Sequence, residues 1–410
     1  MLLRLGEVPT LVVSSREGAR EVMRTHDLAF ATRPLNATMR VLTNGGRDIV
    51  FAPYDDYWRR LRKTAVSELM SASRVLSFRA IREEEVAAML CDVAEAAAAG
   101  RPVELHTRLS TLVTDIRVRV VMGDYRFKEC DAFLCTLDRS WISRPECHDT
   151  GNNIIDAIIQ ERLERIMEGQ IQSEHLGLLD VLLSMEKEGR LDMDAVKYVI
   201  FDILTVGSEA TILQWAIAEL IKNPEVMQKA TVEVRRDFED HATVAEHAFS
   251  DLPYMHLVIR ETLRLHTPTP LLITRECREP CQVLGYDVPR GTQVLVNVWA
   301  LARDKQYWHD APDEFRPERF EGEATAVDFR GTDFSFLPFG AGRRVCPATF
   351  SLADIKLALA SLLFHFDWEG PPPDELDMTE EFGITVRRKA GLLLRPVLRV
   401  PLPGVGNGDG

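Results

Sequence analysis

The spacing of apolar and polar residues predicts helices along most of the chain. An apolar run over residues 1–15 contains an arginine, a glutamate and a proline, which is typical of a strand and not of a signal peptide. Helices are predicted over residues 15–26, with Ser15 as the cap, and over residues 56–70, and long helical stretches follow through residue 99. Over residues 152–169, isoleucine and leucine recur on one side, which indicates a helix that faces the core.

The most apolar long segment predicts one continuous central helix over residues 194–222. Such a helix spans roughly 40 Å at 1.5 Å per residue. It is apolar nearly all round, so we expect it to be central. Asn223 is placed to cap the next helix and Pro224 to occupy that helix's first position, and a later helix ends before Pro268.

After residue 282 the apolar residues alternate with period two. This alternation lies on both sides of a Pro289-Arg290-Gly291 turn and predicts a β-hairpin over residues 282–298. The glycines and prolines after Pro401 predict a disordered tail over residues 402–410. We therefore expect a single domain over residues 1–401, mainly α with a small β portion.

Composition and charge exclude several classes of protein. The chain has 410 residues, 46% of them hydrophobic, so it can bury a large core. Its formal net charge of -14 argues against nucleic-acid binding, which needs a basic face. No run of about 20 apolar residues encodes a transmembrane helix. Seven cysteines scattered along the chain are unlike a disulfide framework and indicate a reducing compartment.

The strongest chemical signal is the segment over residues 339–347, which reads FGAGRRVCP and precedes a helix predicted from about Phe350 to His365. Its glycines let the backbone approach a flat ligand, and an arginine can pair with an acid group. Cys346 sits before the helix N-terminus, where the helix dipole and free N–H groups favour the thiolate. A lone cysteine in a glycine loop is more often a buried structural residue, but the full spacing favours a ligand.

This segment resembles the haem-binding loop of cytochrome P450 enzymes, Phe-x-x-Gly-x-Arg-x-Cys-x-Gly. The matching positions are Phe339, Gly342, Arg344 and Cys346, while Ala348 replaces the last glycine. Compared with the plant microsomal branch, the loop is one residue short after Pro347. The resemblance implies a cytochrome P450 fold that holds haem b between the long central helix and the cysteine loop. Cys346 is then the axial ligand of the iron, and a thiolate ligand favours O–O cleavage.

Two further motifs share this resemblance. Glu261 and Arg264 lie three residues apart on a predicted helix and can pair, although in isolation such a pair is usually a surface ion pair. In the family, Glu-x-x-Arg joins the arginine of a Pro-Glu-Arg-Phe segment, which occurs here at residues 317–320. The resemblance therefore assigns Glu261, Arg264 and Arg319 to assembly of the haem-side core and not to chemistry.

Residues 58–62 resemble the family's Trp-x-x-x-Arg motif, whose ring and guanidinium contact the haem propionates. Trp58 and Arg62 are four residues apart and reach the same side of a helix. Taken alone, this pattern is more often packing with a snorkelling cation. The resemblance also places Arg275 as a propionate partner, with Arg344 as the third arginine. Three cations facing two carboxylates are electrostatically favourable.

In the central helix the family carries Ala/Gly-Gly-x-Asp/Glu-Thr, whose acid and hydroxyl manage protons during oxygen activation. Gly207 and Glu209 match, but Ala210 stands at the threonine position, and two residues are missing relative to the plant pattern. Glu209 and Thr211, a displaced substitute, are the predicted proton-delivery residues. Two residues turn a helix by about 200°, so either a local bulge absorbs the gap or the face toward the haem changes. The alternative is that Glu209 is an ordinary acid of the core that is paired or solvated and has no catalytic role.

The resemblance implies a monooxygenase that inserts one oxygen atom from O2 into a small lipophilic plant metabolite, such as a terpenoid or indole. Electrons come from NADPH through a flavoprotein reductase, and the cations available to dock it are Arg59, Arg60, Lys63 and Arg343. The same cations also fit a merely solvated face. Two alternatives stay open: a haem-binding relative with impaired catalysis, and a family-type isomerase or dehydratase that needs no external electrons.

The resemblance also implies a location at the endoplasmic reticulum membrane surface. The chain begins after the family's membrane anchor and proline-rich hinge, so a peripheral membrane contact or a cytoplasmic location is expected. The access-channel region near residues 140–147 is shorter than in relatives. Cys277 and Cys281 could form half of a zinc site, but no partner pair has fitting spacing, so we do not expect zinc.

Overall fold

The computed structural model describes residues 1–123, 145–168, 177–205, 207–247, 252–322, 327–383 and 385–403, without the side chains of 145–152. The chain forms two compact units. Unit 1 comprises Met1–Phe30, Arg82–Val113 and Ser208–Gly410, and unit 2 comprises Ala31–Ile81 and Thr114–Gly207. Helices dominate the described residues and the strands are short, which confirms the predicted fold class.

The described α-helices follow one another along the chain. They are α1 (Arg16–Arg20), α2 (Ala37–Leu42), α3 (Asp56–Thr64), α4 (Ala72–Ser77), α5 (Arg79–Ala98), α6 (Leu105–Met122), α7 (Pro145–Met167), α8 (Leu178–Lys187), α9 (Met193–Thr205), α10 (Glu209–Lys222), α11 (Pro224–Asp237), α12 (Pro253–Leu265), α13 (Val298–Leu301) and α14 (Thr349–His365). The helices α1 and α3 each continue into a π-helical turn, Glu21–Thr25 and Ala65–Leu69. Short 3-10 turns occur at Pro317–Phe320, Gly342–Arg344 and Pro373–Glu375.

The strands of the described residues form four small sheets. They are β1 (Leu2–Leu5), β2 (Val8–Val13), β3 (Val103–Glu104), β4 (Arg275–Glu276), β5 (Cys281–Val283), β6 (Tyr286–Val288), β7 (Gln293–Val296), β8 (Phe366–Glu369), β9 (Glu380–Glu381), β10 (Arg387–Arg388) and β11 (Leu393–Leu398). The largest sheet has the order β1-β2-β7-β4, in which β2 and β7 are parallel. The others have the orders β3-β11-β8, β5-β6 and β10-β9.

Unit 1 is built around α10, whose residues from Thr211 to Ile221 are all buried. Because this helix is apolar nearly all round, it packs against α11, α12 and α14 on different sides. Ser15 accepts a hydrogen bond from the amide of Gly18 at 3.2 Å and so caps α1 as predicted. The predicted opening strand is a hairpin of β1 and β2.

Unit 2 contains α2, α3, α4, α7, α8 and α9. On α7, Ile154, Ile155, Ile158 and Ile159 are buried as their spacing predicts. A buried ion pair joins α7 to α8, with Arg162 Nη2 and Asp180 Oδ2 2.6 Å apart. On α9, Asp202 accepts a hydrogen bond from the amide of Ile49 at 2.7 Å.

The prediction of one continuous helix over residues 194–222 is wrong. The helix α9 ends at Thr205 and α10 begins at Glu209, while Gly207 and Ser208 are not helical. In unit 2, the guanidinium of Arg117 lies where a β-carbon on residue 207 would stand, so a larger residue there would have to displace that side chain. Glycine is the poorest helix former after proline, and an inserted side chain is a common cause of a helix interruption.

The structure corrects two other local predictions. Asn223 does not cap α11, because its amide donates back to the carbonyl of Glu219 at 2.8 Å. The predicted hairpin over residues 282–298 is wrong, because β5 pairs with β6 through a turn at Leu284 and Gly285. Both turn residues have positive φ, 51° and 81°, as a two-residue hairpin requires. The strand β7 instead joins β2 and β4 in the largest sheet.

Some predictions fall on residues outside the described ranges. Residues 140–144 of the shortened access region near 140–147 lie there, whereas residues 145–147 begin α7. Val206 and most of the predicted tail, residues 404–410, also lie outside the described ranges. At the start of that tail, Leu402 is buried. None of the described helices combines the length and apolar character that crossing a bilayer needs.

Candidate functional site

The loop that carries Cys346 is a tight turn in front of α14. Residues Gly342–Arg344 form a single 3-10 turn, and the amide of Cys346 donates to the carbonyl of Phe339 at 3.0 Å. This bond closes the loop across its base. Cys346 is exposed, whereas Cys91 and Cys281 are half-buried and Cys277 is buried. The loop therefore presents an accessible sulfur three residues before the start of α14.

Both the backbone conformation and the packing around position 342 favour glycine there. Its φ is 70°, a region that residues with a side chain rarely adopt. A β-carbon there would also overlap the carboxylate of Asp27 and the carbonyl of Met23. The N-terminal part of unit 1 thus packs directly against the cysteine loop.

Asp27 is the acid that holds this packing together. Its carboxylate accepts hydrogen bonds from the amide of Arg343 at 3.2 Å and lies 3.6 Å from Nη1 of Arg275. Burial raises the pKa of Asp27, and the amide of Arg343 and the charge of Arg275 oppose that rise. Sequence reasoning missed this residue, because 316 positions separate it from Arg343 and no local motif surrounds it.

Arg275 lies on β4 and is 3% exposed. Its Nη2 donates to the carbonyl of Ala341, inside the cysteine loop, at 2.8 Å, and its Nη1 donates to the carbonyl of Phe30 at 3.3 Å. Burial lowers the pKa of Arg275 to about 10, so it stays charged at neutral pH. The predicted propionate partner is therefore in contact with the loop that carries Cys346.

Aromatic rings connect the cysteine loop to the rest of unit 1. The ring of Phe339 is 5.9 Å from that of Phe329, which contacts Phe336 at the same centroid distance. Phe336 in turn contacts Phe320 and Trp308. Such tilted ring contacts bury apolar area and fix orientation. Arg344, beside this group in the loop, is buried.

Glu261 and Arg264 are fully buried and form a network with the half-buried Arg319. Arg264 donates to both carboxylate oxygens of Glu261 at 2.7 Å, and Nε of Arg319 lies 3.3 Å from the same carboxylate. The remaining donors of Arg264 reach the carbonyls of Ala302, Pro312 and Glu314. All five N–H groups of this guanidinium thus have acceptors. Trp308 lies 5.2 Å from the same guanidinium and links the network to the aromatic rings.

Trp58 and Arg62 lie on α3, in unit 2. Trp58 is buried in a small cluster with Ala31, Ala52 and Tyr54. Its indole N–H donates to the carbonyl of Ile49 at 2.9 Å. Arg62 is half-buried one turn later on the same helix. A propionate bound by this indole would have to exchange with the carbonyl of Ile49.

The predicted proton-delivery residues lie in the first turn of α10. Glu209 is 2% exposed. The hydroxyl of Thr211 lies 3.5 Å from that of Thr385, which precedes β10. One turn further on, Oε1 of buried Gln214 has no hydrogen-bond partner within the described residues. Thr211 therefore faces a second hydroxyl that no local pattern predicts.

The chemistry of the cysteine loop suits a haem. Cys346 offers one accessible sulfur, and a haem-thiolate site would use it as the protein ligand, with the other ligands supplied by the prosthetic group. Among the described residues there is no group of three or more His, Cys, Asp or Glu side chains that could hold a metal. The loop geometry, with a glycine-rich backbone and the cations Arg275 and Arg344, suits such a flat acidic group.

Comparison with known proteins agrees with the motifs. The family model described as Cytochrome P450 matches residues 1–138 and 132–395. Zealexin A1 synthase of Zea mays is 42% identical over 98% of this chain and 86% of its own length. Dolabradiene monooxygenase of Zea mays is 43% identical over 97% of this chain and 85% of its own length.

A more distant plant relative and a solved structure extend the same likeness. Tabersonine 16-hydroxylase 2 of Catharanthus roseus is 40% identical over 97% of this chain and 85% of its own length. A zebra fish cytochrome P450 solved with abiraterone superposes with a TM-score of 0.84 at 26% identity, covering 97% of this chain and 95% of that one.

Proposed function

This chain belongs to the cytochrome P450 family and is an oxygen-incorporating oxidoreductase of its monooxygenase kind, and we propose that it inserts one oxygen atom from O2 into a small lipophilic plant metabolite. In this proposal the electrons come from NADPH through a flavoprotein reductase. The observation that supports it best is the exposed thiol of Cys346 on a loop that Asp27 and Arg275 hold in place.

Haem, when bound, supplies the redox-active iron that activates dioxygen. Cys346 would be its protein ligand, with Phe339, Gly342 and Arg344 shaping the loop around it. The cysteine sits before the N-terminus of α14, where the helix dipole stabilises a thiolate. Arg275 and Arg344 would neutralise the propionates. Trp58 and Arg62 stay predicted propionate partners on the strength of their sequence motif alone.

The first turn of α10 would deliver protons. Thr211 Oγ1 can hold a proton and exchange it with Thr385 Oγ1, 3.5 Å away. Glu209, buried at the start of the helix, would supply or accept that proton. Ala210 has no donor, so in this proposal the hydroxyl of Thr211 would serve as a displaced substitute for the family's threonine.

The relatives indicate a substrate class. They include a dolabradiene monooxygenase and a tabersonine 16-hydroxylase, so terpene-like and indole-containing compounds are the first candidates for this chain. The expected first sign of binding is a spectral change of the haem on titration with dolabradiene or tabersonine. If neither compound changes the haem spectrum, a wider set of plant metabolites should be titrated.

A second candidate function is supported by the interruption before α10. If the break at Gly207 and Ser208 misplaces Thr211, the protein would bind haem and activate oxygen poorly. Turnover that depends on NADPH and reductase supports the monooxygenase. Bound haem without turnover of any substrate supports the impaired relative, and turnover without external electrons supports an isomerase or dehydratase.

The assignment of Cys346 has a direct spectroscopic test. Only thiolate ligation gives the far-red-shifted band of the ferrous carbon monoxide complex, so the wild-type protein should show it and Cys346→Ala should lose it. Cys91→Ala, which removes a half-buried thiol on α5, is the matched control and should keep the band. A shifted band that persists in Cys346→Ala would refute the ligand assignment.

A further inference from the structure

Cys277 and Cys281 form a close pair of thiols that the proposed function does not use. Their sulfur atoms are 4.0 Å apart, against about 2.05 Å in a disulfide. Cys277 is fully buried just after β4, and Cys281 is half-buried at the start of β5. Three residues, Arg278 to Pro280, connect them. The sulfurs are thus near enough to bond after a small side-chain movement.

Backbone hydrogen bonds fix the chain on both sides of this pair. The amide of Cys277 donates to the carbonyl of Thr292 at 2.9 Å, and its carbonyl accepts from the amide of Gly291 at 2.7 Å. Cys281 is paired with Val288 across the β5–β6 hairpin. The sulfur of Cys277 also lies 3.7 Å from the carbonyl of Val288. The proximity therefore follows from two anchored strands and not from the short loop alone.

Within the described residues this pair is not part of a metal site, and its burial affects the pKa of both thiols. No group of three or more His, Cys, Asp or Glu side chains able to hold a metal occurs in the described part of the chain, so this pair lacks the further ligands that zinc needs. Burial raises the pKa of Cys277 to about 12 and raises that of Cys281. Both thiols thus stay protonated at neutral pH, and Cys281, being the more accessible, is the one that an oxidant reaches first.

We propose that Cys277 and Cys281 are a redox-active dithiol that closes to a disulfide by exchange with a small disulfide such as oxidised glutathione. The Cys281 thiolate attacks one glutathione sulfur, forming a mixed disulfide and releasing one glutathione thiol. Cys277 then attacks the sulfur of Cys281, the protein disulfide forms, and the second glutathione thiol leaves. The two protein thiols lose two electrons and two protons, which the oxidised glutathione takes up.

Closure would tie the β5–β6 hairpin to the strand that carries Arg275. Arg275 is two residues before Cys277 and contacts the cysteine loop through the carbonyl of Ala341. In the open form, β4 and the hairpin are joined covalently through residues 277–280 alone. Oxidation should therefore increase the hydrogen-exchange protection of the hairpin amides without requiring any change in the haem.

Peptide mapping of the haem-loaded protein tests the bond itself. Trypsin cuts after Arg275, Arg278 and Arg290, so the two cysteines fall on separate peptides, 276–278 and 279–290. After incubation with oxidised glutathione, these peptides should be recovered as one disulfide-linked species that dithiothreitol separates. Because the thiolate is the attacking species, the rate of closure should increase about tenfold for each unit by which the pH is raised, as long as the pH stays below the pKa of Cys281.

Two cysteine variants test the order of the steps. Cys277→Ser should accumulate glutathione on Cys281, because the resolving thiol is gone, and Cys281→Ser should leave Cys277 reduced. Cys91, half-buried on α5, is the internal control and should not enter the linked species. If a variant fails to fold, the peptide map of the wild-type protein still tests the proposal. Recovery of the two peptides unlinked, or of a stable mixed disulfide between glutathione and Cys281, would overturn it.

Discussion

At the cysteine loop, single residues from distant parts of unit 1 hold one short turn. Asp27 accepts a hydrogen bond from the amide of Arg343, and Arg275 donates to the carbonyl of Ala341. Gly342 leaves room for Asp27 and for the carbonyl of Met23. Each contact acts on a different backbone atom of the loop. The position of Cys346 is therefore set by residues that the cysteine motif itself does not contain.

Gly342→Ala should lower the free energy of unfolding by about 2 to 4 kcal/mol, since it combines the strain of positive φ with an overlap against Asp27. Gly291→Ala is the matched control: its φ is 84°, but nothing lies within 4 Å of the added carbon. It should cost only about 1 kcal/mol. Urea unfolding and haem retention after dialysis measure both, and equal effects would show that the packing against Asp27 does not matter.

Glu261→Ala should destabilise the protein by about 3 to 5 kcal/mol, because it leaves the buried guanidinium of Arg264 without its charge partner. Arg316→Ala serves as the control, because that side chain is 50% exposed and pairs with Glu314 at 3.2 Å. Its loss should cost about 0 to 1 kcal/mol. Chemical denaturation of the two variants compares them, and a loss below about 1 kcal/mol for Glu261→Ala would make the network dispensable.

At the scale of elements, the interruption between α9 and α10 divides the segment 194–222, which the apolar pattern predicts to be one helix. Arg117 occupies the space beside Gly207, and α10 starts afresh at Glu209. A side chain from another helix thus decides where the helix stops. The interruption affects proton delivery because it determines the direction that the Thr211 hydroxyl faces.

Inserting Thr-Ser after Glu209 restores the family's spacing and returns a hydroxyl to the position after the acid. A positioned proton donor typically contributes about 10² to 10⁴ in rate, so we expect the wild type to form little product per NADPH consumed and the insertion to form more. Hydrogen peroxide in place of NADPH and O2 should recover part of the lost product. A tightly coupled wild type, or an insertion that lowers coupling with haem still bound, would show that α10 works in its own geometry.

The contact of α9 with residues 48–51 should make stability depend on pH. Burial, followed by the nearby charge of Asp48, raises the pKa of Asp202 well above its ordinary range. Between the ordinary and the raised pKa, the folded state keeps a proton that the unfolded state releases, so stability falls as pH rises. Asp202→Asn cannot ionise and should remove this fall.

Thermal unfolding at about pH 5 and about pH 8 measures the effect, at about 1.4 kcal/mol for each unit of pKa shift. Asp194→Asn, on the same helix but 51% exposed, is the control and should keep the wild-type dependence on pH. If Asp202→Asn loses as much stability on the alkaline side as the wild type does, Asp202 is not the group responsible.

At the scale of the whole molecule, the chain is strongly acidic, with a formal net charge of -14. Docking of an acidic flavoprotein therefore needs a local basic surface. On α3, Arg59, Arg60 and Lys63 are exposed, and Arg343 is exposed beside Cys346. These cations stay the predicted docking residues.

Replacing Arg60 and Lys63 together by glutamate should slow reductase-supported turnover about tenfold at low salt. The carbon monoxide band after chemical reduction should be unchanged, since neither side chain is assigned to the haem. Replacing Lys187 and Lys222 together by glutamate, at exposed positions that end α8 and α10, changes the net charge by the same amount and is the control. An equal loss in the control would indicate a general charge effect and not a docking surface.

Local sequence patterns were enough to predict the family, the fold class and the identity of the candidate ligand. The cysteine loop, the Glu261 and Arg264 pair and the segment 317–320 are such patterns, and each can be read without coordinates. Most helices were predictable for the same reason, because apolar periodicity records which face is buried. The comparisons confirmed the family and the fold class.

The features that depend on contacts between distant residues became visible only in the folded chain. Asp27 under the cysteine loop, Arg117 against Gly207, Thr385 beside Thr211 and the pairing of β7 with β2 all join positions far apart in the chain. The hydrophobic pattern of a segment indicates that one face is buried, but it does not indicate which element packs against that face. Partner choice depends on the packing of the whole unit, and that information is spread over residues that no local window contains.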